Sequence, residues 1–148
     1  MIYKFVFNGR PKVQKNDLQI RRGKNGRPFV AHSNKLEKIR NEITELAYEQ
    51  YLDQGGEDPI DYLCEVKFKF YCTKQWEPDL DNLPAIVLDA IQGKTVQRNK
   101  QKVKIKQVIT DDKLVRFEES EKIVKGDDKY DGEPRTEFEI KRYDAKKH

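Results

Sequence analysis

Between Ile60 and Thr73 the side chains alternate with a period of two. Leu63, Glu65, Lys67 and Lys69 share one parity, while Cys64, Val66, Phe68 and Phe70 share the other. Only an extended strand sorts such a pattern onto two faces, so this stretch predicts a long strand with one buried and one wet side. The segment before it has a different period. Leu36, Ile39, Ile43, Ala47 and Tyr51 recur at helical spacing and predict the longest helix, from a cap at Ser33 or Asn34 to about Leu52. Gly55-Gly56 separates the two elements. A helix and a strand that are each apolar on one side must pack face to face.

The remaining elements extend this unit. Ile2–Phe7 reads as a first strand stopped by Asn8-Gly9 and Pro11. Residues 10–32 form a long basic loop in which Leu18–Arg21 and Pro28–Ala31 flank Gly23-Lys24-Asn25-Gly26, the pattern of a hairpin or flap with a basic tip. Asp81 or Asn82 can cap a second helix over about 82–92, buried through Leu83, Ile86, Val87, Ala90 and Ile91 and ended at Gly93. Lys102–Ile109 predicts a strand with a basic face. Val115–Val124 and Glu137–Tyr143 predict the last two strands, joined by an acidic turn around Asp127–Glu133, and Asp144–His148 is expected to fray. The sum is an α+β chain: one small domain over residues 1–143, with a mixed sheet and two main helices.

A chain of 148 residues suits one domain. Hydrophobic residues make up 36% and charged residues 38%, so the core is lean and a second subunit over an apolar face would help it. The longest apolar run, around Ile86–Ile91, is broken by Asp89 and is far short of the roughly 20 residues of a membrane span. Met1–Phe7 lacks the apolar core of a signal peptide, so a soluble cytoplasmic protein is expected. Cys64 and Cys72 lie roughly 26 Å apart if both sit on one strand, well beyond disulfide reach. No Cys-x-x-Cys spacing and no Gly-rich phosphate loop is present, so neither a zinc finger nor a nucleotide cofactor is expected. His32 adjoins a helix cap and His148 is terminal, and neither points to histidine chemistry.

The net charge of +4 conceals a segregation. Residues 1–42 carry 11 basic and 3 acidic residues, a balance of +8, and the remaining 106 carry 19 and 23, a balance of −4. Within that acidic remainder, Lys94–Val108 holds Lys94, Arg98, Lys100, Lys102, Lys104 and Lys106 and no acid. Two basic stretches therefore flank a central acidic segment. This suits a polyanion bound over a metal site, a phosphate backbone being the commonest such partner, although a solvated lysine-rich surface would read the same way from charge alone.

Pro78-Asp79-Leu80-Asp81-Asn82 delivers two carboxylates, two residues apart, from an extended chain into a helix start. Such a pair repels unless a cation lies between its members, and hard divalent ions take oxygen ligands of this kind. Asp111-Asp112, just past the strand expected to end near Ile109, can add a third ligand. Each part alone has an ordinary structural role as a cap, a solvated acid or a turn. Asp81, Ala85 and Asp89 fall at i, i+4 and i+8 and share a helix face opposite the apolar stripe. Trp76 could stack on an unpaired base or serve as a half-buried loop aromatic.

Asp79-Leu80-Asp81-Asn82-Leu83, then Asp89-Ala90, then Asp111-Asp112 after a strand, then Lys122, resembles the RusA-type Holliday-junction resolvases, small phage and prophage endonucleases. The specific part of the likeness spans about Pro78–Lys122. The resemblance implies a homodimeric α+β fold that binds four-way DNA junctions and cuts them symmetrically in recombination and repair. It implies magnesium, with manganese as an alternative, held by Asp79, Asp81 and Asp112, with Asp111 as a further ligand and Asp89, Asn82 and Lys122 in support. Lys12, Lys15, Arg21, Arg22, Lys24 and Arg27 of the basic loop and Lys100, Lys102, Lys104 and Lys106 of the later run are expected to contact phosphates. Two departures stand out. Ala85 occupies the position where the family usually has a lysine, a charge that Lys113, Lys122 or Lys74 could replace. The stretch 93–110 is a basic insertion relative to compact members. A catalytically silent relative that binds branched DNA or a replication partner is the competing expectation.

Overall fold

The computed structural model describes residues 1–9, 18–22, 28–32, 34–73 and 83–148, with side chains described at 1–9, 36–73 and 83–148. Its elements are β1 (Ile2–Asn8), β2 (Leu18–Arg22), β3 (Pro28–His32), α1 (Asn34–Asp53), β4 (Cys64–Cys72), α2 (Leu83–Ala90), β5 (Lys94–Arg98), β6 (Gln101–Ile105), β7 (Val115–Val124) and β8 (Arg135–Arg142). A mixed sheet of order β1-β8-β4-β7 forms the body: β8 runs antiparallel to both β1 and β4, and β7 runs parallel to β4. The expected α+β architecture with two helices is what forms, and the flap expected within 10–32 is the antiparallel pair β2–β3. The cap positions at Ser33, Asp81 and Asn82, and the side chain of Asn34, lie outside the described residues.

The core follows from the alternation of β4. Val66, Phe68 and Phe70 are buried beneath Leu36, Ile43, Ala47 and Tyr51 of α1 and Leu83, Val87 and Leu88 of α2. Register places Phe5, Phe138 and Phe68 side by side across three strands. The rings of Phe5 and Phe138 stack at 4.5 Å, and Phe68 is tilted against Phe138 at 5.5 Å. Helix α1 ends in a Schellman turn. Gly56 N–H donates to Tyr51 O and Gly55 N–H to Leu52 O, with Gly55 at φ 91.

The second face of β4 is wet only in its middle, which corrects the expected fully wet side. Its ends are covered: Glu65 is 2% exposed and Tyr71 is buried with the Arg135 guanidinium over its ring at 3.6 Å. Between them the register builds a row of alternating sign, Lys4, Glu139, Lys67 and Glu119, one residue from each strand. Lys69 stands likewise between Glu137 and Glu121. Opposite charges directly across a ladder stabilise the pairing, and like charges would oppose it.

Helix α1 also finishes the outer edge of β1. The Gln50 side-chain amide accepts from Val6 N at 2.9 Å and donates to Val6 O at 2.8 Å, and Gln54 makes the same pair of bonds with Lys4, both at 2.7 Å. Spaced one helical turn apart, the two side chains match alternate residues of the strand.

Two further expectations are corrected. The expected strand Lys102–Ile109 is half of a hairpin, β5–β6, whose two-residue turn is Asn99-Lys100 at φ 49 and φ 64. Positive φ at both turn positions gives the twist that joins antiparallel strands tightly. Lys106, at φ 58, ends the ladder, and Val108 and Ile109 are fully buried beyond it. The tail Asp144–His148 is not frayed. The Asp144 carboxylate accepts from Lys146 N at 3.0 Å and caps a 3-10 turn over Ala145–Lys147. His148 reaches Glu65 at 2.5 Å and stacks on Phe117 at 4.2 Å, while Lys141 meets the other Glu65 oxygen at 2.8 Å. A carboxylate buried this deeply needs such partners. Cys64 and Cys72 are buried free thiols, as their spacing on one strand requires, and burial pushes the Cys64 thiol up to about 11.

Gly93 joins α2 to the hairpin at φ 86, and a Cβ there would lie 2.2 Å from Ile105 O. Gly93→Ala combines a disfavoured conformation with a backbone clash, so a loss of about 3 kcal/mol is expected. Thermal melting should fall by about 6–12 °C. An unchanged melt would show that the hairpin base has slack.

Candidate functional site

Asp111 and Asp112 are carried on a short loop fixed from below. Val108 N and Ile109 N both donate to Ile91 O at the end of α2, at 2.8 and 3.2 Å, and Ile60 pairs with the same segment through Val108 O and Thr110 N. Two fully buried residues thus anchor the chain one residue before two exposed acids. The Asp111 carboxylate accepts from Lys113 N at 2.9 Å and caps the 3-10 turn Asp112–Leu114. That backbone N–H is the main reason its pKa lies below the ordinary aspartate value. Asp112 opens the turn, with its side chain exposed.

Asp79, Asp81 and Asn82, and with them Lys74 and Trp76, lie outside the described residues. So do the side chains of Lys12, Lys15, Arg21, Arg22, Lys24 and Arg27, and His32. Among the described residues, no three His, Cys, Asp or Glu side chains converge as a metal would require. Asp89, expected as a supporting acid, forms an ion pair with Arg40 of α1 at 2.6 Å, and Arg40 also donates to Gly93 O at 3.3 Å. Asp89 thereby ties α2 and the base of the hairpin to α1. Ala85 is exposed on α2 one turn earlier.

Of the described cations that could stand in for a lysine at Ala85, Lys113 shares the turn with Asp112. Lys122 sits opposite Phe70 on β7, seven residues along from Val115, a distance of about 23 Å in an extended strand. The acid pair and Lys122 therefore occupy different ends of β7.

The basic run divides by role. Lys94 and Lys106 both grip the Glu45 carboxylate on α1, and the Glu45 pKa is held below its ordinary value chiefly by hydrogen bonding to Lys106 and Lys94. Arg98, Lys100, Lys102 and Lys104 are exposed and have no ion-pair partner among the described residues. Sequence reading missed Glu45, Arg40 and the Glu65–His148 contact, because the paired residues are 49, 61 and 83 positions apart and nothing local marks them.

The arrangement can do two things chemically. Exposed oxygen donors on an anchored loop can contribute to a hard divalent-cation site. Unpaired cations on the preceding hairpin can hold phosphates. A scan of protein-family models matches no family, and a search of the curated proteins returns no relative.

Proposed function

We propose that this chain is a magnesium-dependent, structure-specific endodeoxyribonuclease that acts on four-way DNA junctions as a homodimer. The observation that carries the reading is the placement of an anchored, exposed acid pair, Asp111-Asp112, six residues after a hairpin whose outer cations are unneutralised. The donor chemistry fits the cation: Asp112 together with Asp79 and Asp81 would offer magnesium carboxylate oxygens, with water and phosphate oxygens as its other ligands. When bound, the metal supplies Lewis-acid stabilisation of the scissile phosphate and lowers the pKa of the attacking water. The chain's own residues do the rest. Asp111 fixes the turn through Lys113 N, Lys113 brings a positive charge to the same turn as Asp112, and the hairpin holds flanking phosphates.

A labelled four-way junction and a matched linear duplex, incubated with the protein in magnesium and in EDTA, test this. Paired nicks in the junction alone, lost in EDTA, are the expected result. The exposed and uncharged Ala85 favours a second reading, a silent binder of branched DNA. That reading predicts junction binding in both buffers with no product in either, and makes Ala85→Lys the variant that should gain cutting.

A further inference from the structure

We infer that β5–β6 is a duplex-DNA-binding ribbon that turns one face, with Lys102 and Lys104, toward the phosphate backbone while Lys94 and Lys106 hold it to the body. The inference rests on the nuclease reading for its biological setting and for the choice of DNA over RNA, but the rest of its physical argument is separate.

The register sorts the hairpin into two faces. Thr95 pairs with Lys104 and Gln97 with Lys102, and all four are exposed. The other face carries Lys94, Val96, Val103 and Ile105, all half-buried, and at its tip the exposed pair Arg98–Gln101. Glu45 of α1 binds Lys94 and Lys106 at the base of the hairpin, leaving Lys102, Lys104, Lys100 and Arg98 for an outside partner. No acid occurs from Lys94 to Val108, so nothing on the ribbon itself opposes a polyanion.

Two arguments select duplex DNA. The ribbon has no aromatic residue, so it lacks the stacking platform on which single-strand binders rely. Between duplexes, DNA rather than RNA follows from the nuclease reading on which the inference rests. Lys102 and Lys104 lie about 7 Å apart on one face, a length over which a duplex presents roughly four phosphate charges, so both ammoniums meet phosphate together.

The experiment uses the full chain and a fluorescein-labelled linear DNA duplex in EDTA, so that no cleavage is needed and a failed nuclease reading leaves the measurement intact. Lys102→Gln/Lys104→Gln is compared with Lys146→Gln/Lys147→Gln, which removes the same charge from an exposed turn elsewhere. The hairpin variant is expected to bind at least tenfold more weakly at fixed salt, with the slope of log K against log salt reduced by about 1.8. The control should stay within twofold of the parent. Equal losses in the two variants, no loss in the hairpin variant, or tighter binding of the parent to duplex RNA than to DNA would each overturn the inference. Circular-dichroism melts of both variants separate a binding loss from a folding loss.

Discussion

Phe138→Ala is expected to lower stability by about 3–5 kcal/mol, the range for removing a buried phenyl ring. Phe138 is buried on the central pairing of the sheet, and its ring touches three others: Phe5 at 4.5 Å, Phe7 at 5.4 Å and Phe68 at 5.5 Å. None of these can close the gap alone, because each is fixed on its own strand or under a helix. Against a total of about 5–15 kcal/mol for a domain, that loss is a large fraction, and the melting temperature should drop by roughly 10 °C or more. Phe138→Leu keeps most of the volume and should cost less than about 1.5 kcal/mol. Urea unfolding of the three proteins checks this, and an alanine variant within 1 kcal/mol of the parent would mean that the aromatic row is not where the sheet and helices are held together.

Under the proposed nuclease reading, Asp112→Asn should slow junction cutting by about 100-fold or more, the scale seen when a group that stabilises transition-state charge is lost. Junction binding should persist or tighten, because a negative charge beside the phosphate is gone. Asp79→Asn is expected to behave in the same way. Asp111→Asn should do less, since its amide oxygen can still accept from Lys113 N and keep the turn. Single-turnover cutting measured alongside junction binding separates the two effects. Full cutting by Asp112→Asn would remove Asp112 from the centre, and equal losses in Asp111→Asn and Asp112→Asn would assign the pair a shared role in turn geometry.

The elements whose side chains repeat over several residues were legible before any coordinates. Leu36 to Tyr51 and Cys64 to Phe70 declare their periods, and α1 forms at its place while β4 covers Cys64–Cys72, starting four residues after the expected Ile60, which makes only an isolated bridge to Ile109. β7 forms over Val115–Val124 as expected, and β8 starts two residues before its expected Glu137. β5 was not legible: it has only five residues, Val96 is its one apolar residue, and Asn99-Lys100 is a weaker turn signal than Asn-Gly. The local order of acids pointed to Asp111-Asp112, and the structure finds that pair exposed on an anchored turn. The partners of Asp89, Glu45 and His148 were hidden for a different reason. Each is a contact between segments far apart in the chain, and a polar residue looks the same in sequence whether it meets water or a neighbour.

The side-chain amides of Gln50 and Gln54 bear on self-association. With the outward N–H and C=O groups of Lys4 and Val6 already satisfied, a strand from another molecule meets no open ladder along the middle of β1. The helix guards this border against runaway strand addition and fibrillar growth, the hazard that an unprotected sheet margin carries. It also bears on the proposed homodimer. Two copies of this chain cannot fuse their sheets across the middle of β1.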